Sequence, residues 1–142
     1  MKARKPQLLF HGTLLFLVGL LTGLALASGA AFIANPRGVL AGHLEAVMNG
    51  TFLIAVAFFI DDTALSARAR TRVVWLLLYG TWGNWLATTL AGILGTSEAT
   101  PLAGAGHHGP WLAEKLIFFG LVSVALAMVV AVGTLLAGLR RA

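Results

Sequence analysis

The chain has 142 residues, of which 58% are hydrophobic and only 11% are charged, and its formal net charge is +5. A soluble domain of this length needs more polar surface to cover one core, so we expect a single membrane domain over residues 1–142. The basic residues stand at the ends of apolar segments and not along one solvated face, which argues against nucleic-acid binding. The lack of cysteine excludes disulfides, thiolate nucleophiles and thiolate metal ligands.

Four apolar segments predict four transmembrane helices, over about residues 8–33, 41–60, 73–94 and 112–139. Each is long enough to cross a bilayer core of ~30 Å, which takes ~20 helical residues. Helices are favoured because they satisfy every backbone polar group inside lipid, whereas buried strands would come from shorter runs. The predicted fold class is all-α, an integral membrane four-helix bundle.

The basic residues predict the orientation of this bundle. They group before the first helix, between the second and the third, and after the fourth, as Lys2, Arg4, Lys5, Arg68, Arg70, Arg72, Arg140 and Arg141. With four spans these groups share one side, and the opposite loops hold only Arg37 and Lys115. The positive-inside rule then predicts both termini in the cytoplasm of a multi-pass protein of a bacterial-type inner membrane.

The first helix carries His11 near its cytoplasmic end, where an interfacial histidine is ordinary. Gly19 and Gly23 form a small-xxx-small pair, which favours close helix contact and makes a homo-oligomer plausible. In the long loop 95–110, His107 and His108 are adjacent, and adjacent histidines rarely ligate one metal. We therefore interpret them as solvated loop residues.

The second helix begins with His43, Glu45 and Asn49, which are expensive in a span and usually face a bundle interior or a cavity. Glu45 and Asn49 are four residues apart and share a helix face. His43 precedes Asn49 by six residues, about 120° around the helix, so the two can flank one pocket. A polar helix end that is hydrogen-bonded to loops is the alternative.

The third helix has a polar stripe of Thr81, Asn84 and Thr88, whose spacings of three and four place them on one face. Trp82 and Trp85 lie beside this stripe. Together they could line a pocket for an aromatic substrate or a flat cofactor, with the two tryptophans as cofactor-binding residues. Ordinary hydrogen bonding between helices is an equal alternative.

Several segments resemble the hydroxylaminobenzene mutases. They are AGHLEAVMNGTF at 41–52, YGTWGNWLA at 79–87, GTS at 95–97 and TPLAGAGH at 100–107. The resemblance extends from Leu9 to Arg141 and so covers nearly the whole chain. It implies a membrane-bound isomerase that rearranges an aryl hydroxylamine, such as hydroxylaminobenzene, to the ortho-aminophenol.

The chain is more distantly similar to styrene oxide isomerases, which are small four-helix membrane enzymes. Their histidine, followed six residues later by Asn-Gly, matches His43 and Asn49, and their Trp-x-Asn matches a tryptophan and Asn84. This resemblance implies a trimer that binds haem b through His43, with the asparagine positioning the substrate. Thr88 stands where those isomerases have a tyrosine, and Glu45 where they have a small residue, which favours a substrate other than an epoxide.

The resulting hypothesis assigns a role to each group. A ferric iron held by His43, with His11 as the second choice of ligand, would polarise the N–O bond of the hydroxylamine. Glu45 would donate a proton to the departing oxygen and later accept the ring proton, with Asn49, Asn84 and Thr88 in the catalytic pocket. The lipid phase would concentrate the aromatic substrate, and a dry pocket would limit capture of the ring cation by water.

Three alternatives remain open at this stage. One is an isomerase that converts styrene oxide-like epoxides to aldehydes. Another is a non-catalytic haem-binding subunit with two histidine ligands, although the predicted topology puts His11 and His43 at opposite membrane faces. A transporter or a structural membrane protein is the third.

Overall fold

A computed structural model describes residues 4–141, and over this range the chain is all-helical, with no strand. The four long helices are α1 (Lys5–Ala27), α2 (Pro36–Ala57), α3 (Ala67–Leu94) and α4 (Trp111–Leu139), and one 3₁₀ turn follows α2 at Ile60–Asp62. The all-α prediction with four helices is confirmed for these residues. Lys2, which contributed to the predicted orientation, lies outside the described residues.

Three of the helices, α1, α2 and α4, are long and apolar enough to cross a membrane. Three of the four predicted apolar spans are therefore confirmed. α3 differs because its first turns hold three arginines and its middle holds the polar stripe. It is nevertheless the length of a span, since 28 residues of helix extend about 42 Å.

The outward faces of the helices are strongly apolar. Exposed side chains include Leu24 on α1, Met48 on α2 and Val129 on α4, each about two-thirds accessible or more. A soluble protein rarely leaves so much contiguous apolar surface in water. These faces fit a lipid bilayer, in agreement with the predicted membrane environment.

The helix boundaries differ from the predicted ones at three places. α1 ends at Ala27 rather than near residue 33, because the chain turns at Gly29, whose φ is +65°. α2 starts at Pro36 rather than 41, because Asn35 accepts a hydrogen bond from the Arg37 N–H and proline suits the first helical position. α3 starts at Ala67 rather than 73, after the cap that Ser66 provides.

Each helix packs chiefly on the next one in the chain, α1 on α2, α2 on α3 and α3 on α4. α1 also contacts α3, whereas α1 and α4 scarcely touch. α1 and α2 approach each other closely at Gly12 and Gly50, where a Cβ on either glycine would lie 2.8 or 2.7 Å from the carbonyl oxygen of the other. The helices therefore form an open assembly and not a closed ring of four.

Hydrogen bonds show which chain segments share an end of this assembly. The Arg4 guanidinium donates to the Thr71 hydroxyl at 2.7 Å, and the N–H of Ala64 donates to the carbonyl of Gly138 at 3.2 Å. The start of the described chain, the link between α2 and α3, and the end of α4 thus lie together. The basic residues of these three segments are consequently concentrated at one end.

Candidate functional site

The central feature of the site is a carboxylate–carboxamide pair between α2 and α3. The Nδ2 of Asn84 donates a short hydrogen bond to Oε2 of Glu45, and both side chains are partly buried. Within residues 4–141 no lysine or arginine forms a salt bridge with Glu45. A carboxyl group in an apolar layer without a cationic partner is costly, and at such a position it usually has a functional role.

A cavity of about 320 Å³ lies beside this pair, between α2, α3 and α4, and is open to the outside on one side. We call it the inner cavity. Two carboxamides, those of Asn49 and Asn84, form its polar side, and the rest of its lining consists of Gly80, Leu121, Val124, Ala125 and Met128. Its volume lies at the lower end of the usual range for ligand sites, ~300–1,000 Å³, which fits a small molecule.

Asn49 has an unused hydrogen-bond donor at this cavity. Its Nδ2 is fully buried and has no partner among the described residues. Leaving such a donor unpaired costs about 1–3 kcal/mol. Because the Asn49 side chain lines the inner cavity, a shift of its amide toward a ligand oxygen there would remove that cost. The cavity is therefore suited to a small, largely apolar molecule that carries one oxygen atom.

His43 lies on another side of α2, against α1. Its Nδ1 is 2.7 Å from the carbonyl oxygen of Gly19, and this acceptor requires that Nδ1 carry the proton and donate. Nε2 is then the nitrogen left to bind a metal or accept a proton. A Cβ on Gly23 would lie 2.8 Å from Nδ1, so the glycine makes room for the imidazole.

The small-xxx-small pair of α1 thus has two separate effects. At Gly19 a Cβ would lie 2.9 Å from the Cβ of Ala46, which is the close helix contact expected from the sequence. Gly23 instead accommodates the ring of His43. The spacing indicated close contact but did not indicate which side chain the second glycine accommodates.

Within one chain, His43 does not join the inner cavity. It contacts α1, whereas Glu45 and Asn49 face α3, and Asn49 also faces α4. The expectation that His43 and Asn49 flank a single pocket is therefore not met inside one chain. The reason is that the 120° between them separates the face of α2 that meets α1 from the face that meets α3.

The two tryptophans lie on the side of α3 that faces α1. Trp82 and Trp85 are edge-to-face, with ring centroids 5.8 Å apart. Trp85 donates its indole N–H to the hydroxyl of Thr22 on α1 at 3.1 Å, while the indole nitrogen of Trp82 is buried without a partner. They pack between α1 and α3 and are not part of the inner cavity lining.

The two threonines of the predicted stripe on α3 are buried. Thr81 donates its hydroxyl hydrogen to the carbonyl of Leu77 in its own helix, so it requires no other partner. Thr88 is also buried but does not line the inner cavity. Of the predicted stripe, only Asn84 reaches both Glu45 and the cavity.

His11 is separated from His43 along α1. Its ring lies edge-on to that of Trp82, with centroids 6.3 Å apart, and its Nδ1 is buried without a partner. It precedes Gly19, the contact of His43, by eight residues, or about 12 Å of helix. The two imidazoles of one chain therefore lie at different levels, His11 beside Trp82 on α3 and His43 beside Gly19 and Gly23 on α1.

The loop 95–110 is held by a residue that the sequence analysis did not single out. Both carboxylate oxygens of Glu114, in the first turn of α4, accept hydrogen bonds from the backbone N–H groups of Ser97, Glu98 and Gly109 at 2.9–3.1 Å. His107 lies in this loop with Nδ1 buried and unpartnered, while His108 is exposed. The described residues contain no group of three histidine or acidic side chains that could hold a metal ion.

The α4 residues of the inner cavity were also missed. Leu121, Val124 and Met128 belong to a helix whose residues are apolar on every face, so no periodic signal marks those that turn inward. Gly80 is a further omission, since its missing side chain is what admits Met128 against α3.

Comparison with known proteins relates the chain to one family. The family model described as styrene oxide isomerase matches residues 4–140. Hydroxylaminobenzene mutase HabB of Ectopseudomonas oleovorans is 44% identical over 137 residues, which cover 96% of this chain and 81% of HabB. Hydroxylaminobenzene mutase HabA of the same organism is 36% identical over 138 residues, covering 96% of this chain and 99% of HabA. No solved structure matches the chain significantly.

Proposed function

Because this chain belongs to the styrene oxide isomerase family and is an isomerase, we propose that it rearranges an aryl hydroxylamine, such as hydroxylaminobenzene, to the ortho-aminophenol. The observation that carries the proposal is the Glu45–Asn84 pair beside a small cavity lined by Asn49, whose buried amide has an unpaired donor. Both relatives described above are named for the rearrangement of hydroxylaminobenzene.

The rearrangement needs a proton donor and acceptor but no external redox partner. The N–O bond breaks, a C–O bond forms at the ortho carbon, the nitrogen gains a hydrogen and the ring loses one. Glu45 in its protonated form donates to the departing oxygen and, as the carboxylate, takes the ring proton afterwards. The extra proton on the oxygen passes to the nitrogen after the C–O bond has formed. General acid–base help of this kind is typically worth ~10²–10⁴-fold in rate.

The two asparagines have different tasks in this scheme. Asn84 donates to Oε2 of Glu45 and so fixes the direction of the carboxyl group. Asn49 directs its otherwise unpaired N–H at the substrate oxygen and holds that oxygen near the ring. The apolar side chains from α4 surround the ring and keep bulk water away from the ring cation.

Haem b, proposed as the cofactor, fits the environment of His43. The Gly19 carbonyl accepts from Nδ1 and leaves Nε2 as the ligand atom, and metal-binding histidines usually donate their other ring N–H to an acceptor in this way. When bound, the ferric iron would supply Lewis-acid polarisation of the hydroxylamine oxygen. His11, the second choice of ligand, lacks such an acceptor for Nδ1 among the described residues.

We also propose a homotrimer with the cofactor at a subunit boundary. In one chain His43 faces α1 and the inner cavity faces α4, so a haem on His43 would meet a substrate cavity only across an interface. The number three rests on the similarity to the isomerases. We further propose that α3 is the fourth transmembrane span. Both termini would then lie in the cytoplasm, on the inner side of an inner membrane, because the basic residues gather at one end of the helices.

An epoxide isomerase is the second candidate, favoured by the family model that matches residues 4–140. Against this candidate, Thr88 stands where those isomerases have a tyrosine, and Glu45 stands where they have a small residue. A non-catalytic haem subunit with two histidine ligands receives less support, because Nδ1 of His11 has no acceptor among the described residues, whereas Nδ1 of His43 has one.

The decisive experiment uses the purified full chain with hydroxylaminobenzene and, separately, styrene oxide. We expect 2-aminophenol from the first substrate without added oxidant or reductant, and a Soret band that is lost or shifted in His43→Ala. Reaction in ¹⁸O-labelled water should give product oxygen mainly from the substrate. Efficient turnover of styrene oxide alone would replace the mutase proposal by the epoxide one, and full incorporation of solvent oxygen would refute the proposed exclusion of water from the ring cation.

A further inference from the structure

A second cavity, of about 250 Å³, lies between α3 and α4. We call it the outer cavity. Apart from the ring of Tyr79 at its rim, its lining is aliphatic or glycine: Gly83, Leu86, Ala87, Leu90, Leu116, Ile117, Gly120 and Val124. Leu86 and Leu116 are among its more exposed members, which places it on the apolar surface of the helices. It has no carboxamide or carboxylate among these residues.

The two cavities share one wall residue, Val124. This side chain lines both of them and is itself buried. It packs against Gly83 of α3, where an added Cβ would lie 2.8 Å from a methyl carbon of Val124. The wall between the two cavities therefore includes a single valine side chain, which faces a glycine on α3.

The polarity changes across that partition. The outer cavity is apolar, while the inner cavity ends at Asn49 and Asn84. The hydroxyl of Tyr79, the one polar side-chain group among the lining residues of the outer cavity, is occupied by a 2.6 Å hydrogen bond to Ser123, which in turn donates to the carbonyl of Gly120. The outer cavity thus suits an aromatic ring, and the inner cavity suits the same ring with an oxygen substituent.

We propose that the outer cavity is a second binding site for the aromatic substrate, from which the arene passes beside Val124 into the inner cavity. The proposal rests on the proposed function for the identity of its occupant. We assign the outer cavity to the arene because an apolar substrate is concentrated in lipid, and because this cavity adjoins the site proposed to bind the substrate oxygen. A lipid acyl chain is the competing occupant.

Gly120 allows the outer cavity to be filled without disturbing the inner one. A Cβ at this position would have no heavy atom within 4 Å, so Gly120→Val places its methyl groups in the cavity without a clash of that Cβ. Gly133, on the same helix, has the same open surroundings and lines neither cavity. Gly133→Val is therefore a matched control for helix propensity and added bulk.

Steady-state kinetics in proteoliposomes supply the first measurement. In Gly120→Val we expect kcat/KM for hydroxylaminobenzene to fall about 10-fold, through KM, with kcat nearly unchanged, since small changes in an apolar pocket have effects of this size. Gly133→Val should match the wild type. Val124→Ala should favour para-alkylated hydroxylaminobenzenes over the parent compound. Equal losses in both glycine variants, or no loss in Gly120→Val, would overturn the proposal.

The second measurement does not depend on turnover. Crystals grown in lipid with iodobenzene should show anomalous iodine density beside Gly120 and also beside Asn49, and Gly120→Val should remove only the first. An acyl chain in the outer cavity, with no iodine there, would assign it to lipid and refute the proposal. If the wild type binds iodobenzene at both positions but does not rearrange hydroxylaminobenzene, the proposed function fails while the second arene site stands.

Discussion

The Asn84–Glu45 hydrogen bond offers a direct test of the proposed acid–base chemistry. Asn84→Leu nearly preserves side-chain size and removes the amide that donates to Oε2 of Glu45. Glu45→Gln keeps the shape of the carboxyl side chain and removes its titratable proton. Since Asn84 also lines the inner cavity, the two substitutions must be combined so that its separate contribution to that cavity can be measured.

The expected magnitudes follow from the contacts. As Glu45 gives up its proton, the hydrogen bond from Asn84 becomes one to a charged group, which is worth about 1.5–3 kcal/mol, so Asn84→Leu should lower kcat about 10- to 100-fold. Glu45→Gln should lower it ~10²–10⁴-fold. In the Glu45→Gln background, Asn84→Leu should cost less than about 10-fold, because the group that it orients is already gone.

The assay is the initial rate of 2-aminophenol formation, with each variant compared at equal haem content measured from its absorption spectrum. Thr81→Val is the matched control on the same helix, since the Thr81 hydroxyl bonds only within α3. Equal loss from Asn84→Leu in both backgrounds would show that Asn84 acts independently of Glu45. Near-normal turnover in Glu45→Gln would show that the carboxyl group is structural.

Three further predictions concern other parts of the molecule. Gly23→Ala should displace the ring of His43 and lower the content of the proposed haem or shift its absorption spectrum, while Gly133→Ala should do neither. An unaltered spectrum in Gly23→Ala would contradict the proposed position of the His43 imidazole. Glu114→Ala leaves three backbone N–H groups without their acceptor and should lower the free energy of unfolding by about 1–3 kcal/mol, measured by thermal unfolding in detergent. Glu98→Ala should cost much less because it removes only an exposed ion pair. Equal effects of the two substitutions would contradict the role of Glu114 in holding the loop 95–110. A single cysteine in the link between α2 and α3 should be labelled from the cytoplasmic side, and labelling from outside would reverse the proposed orientation.

The helical class and the apolar segments could be predicted from the sequence because both depend on local pattern. Runs of about 20 apolar residues have few alternatives to helices in lipid. The shared face of Glu45 and Asn49 also followed from helix geometry alone. The resemblance in motifs around these residues indicated the family, which the comparisons confirm.

What the sequence could not decide is how each helix is rotated about its axis against its neighbours. His43 and Asn49 are about 120° apart in any α-helix, but only the packing directs one toward α1 and the other toward α4. The same holds for Met128 and Val124, because a helix that is apolar all round carries no periodic signal for its inward face. Such rotations are set by close contacts between side chains and glycines of different helices, and these contacts exist only in the tertiary structure.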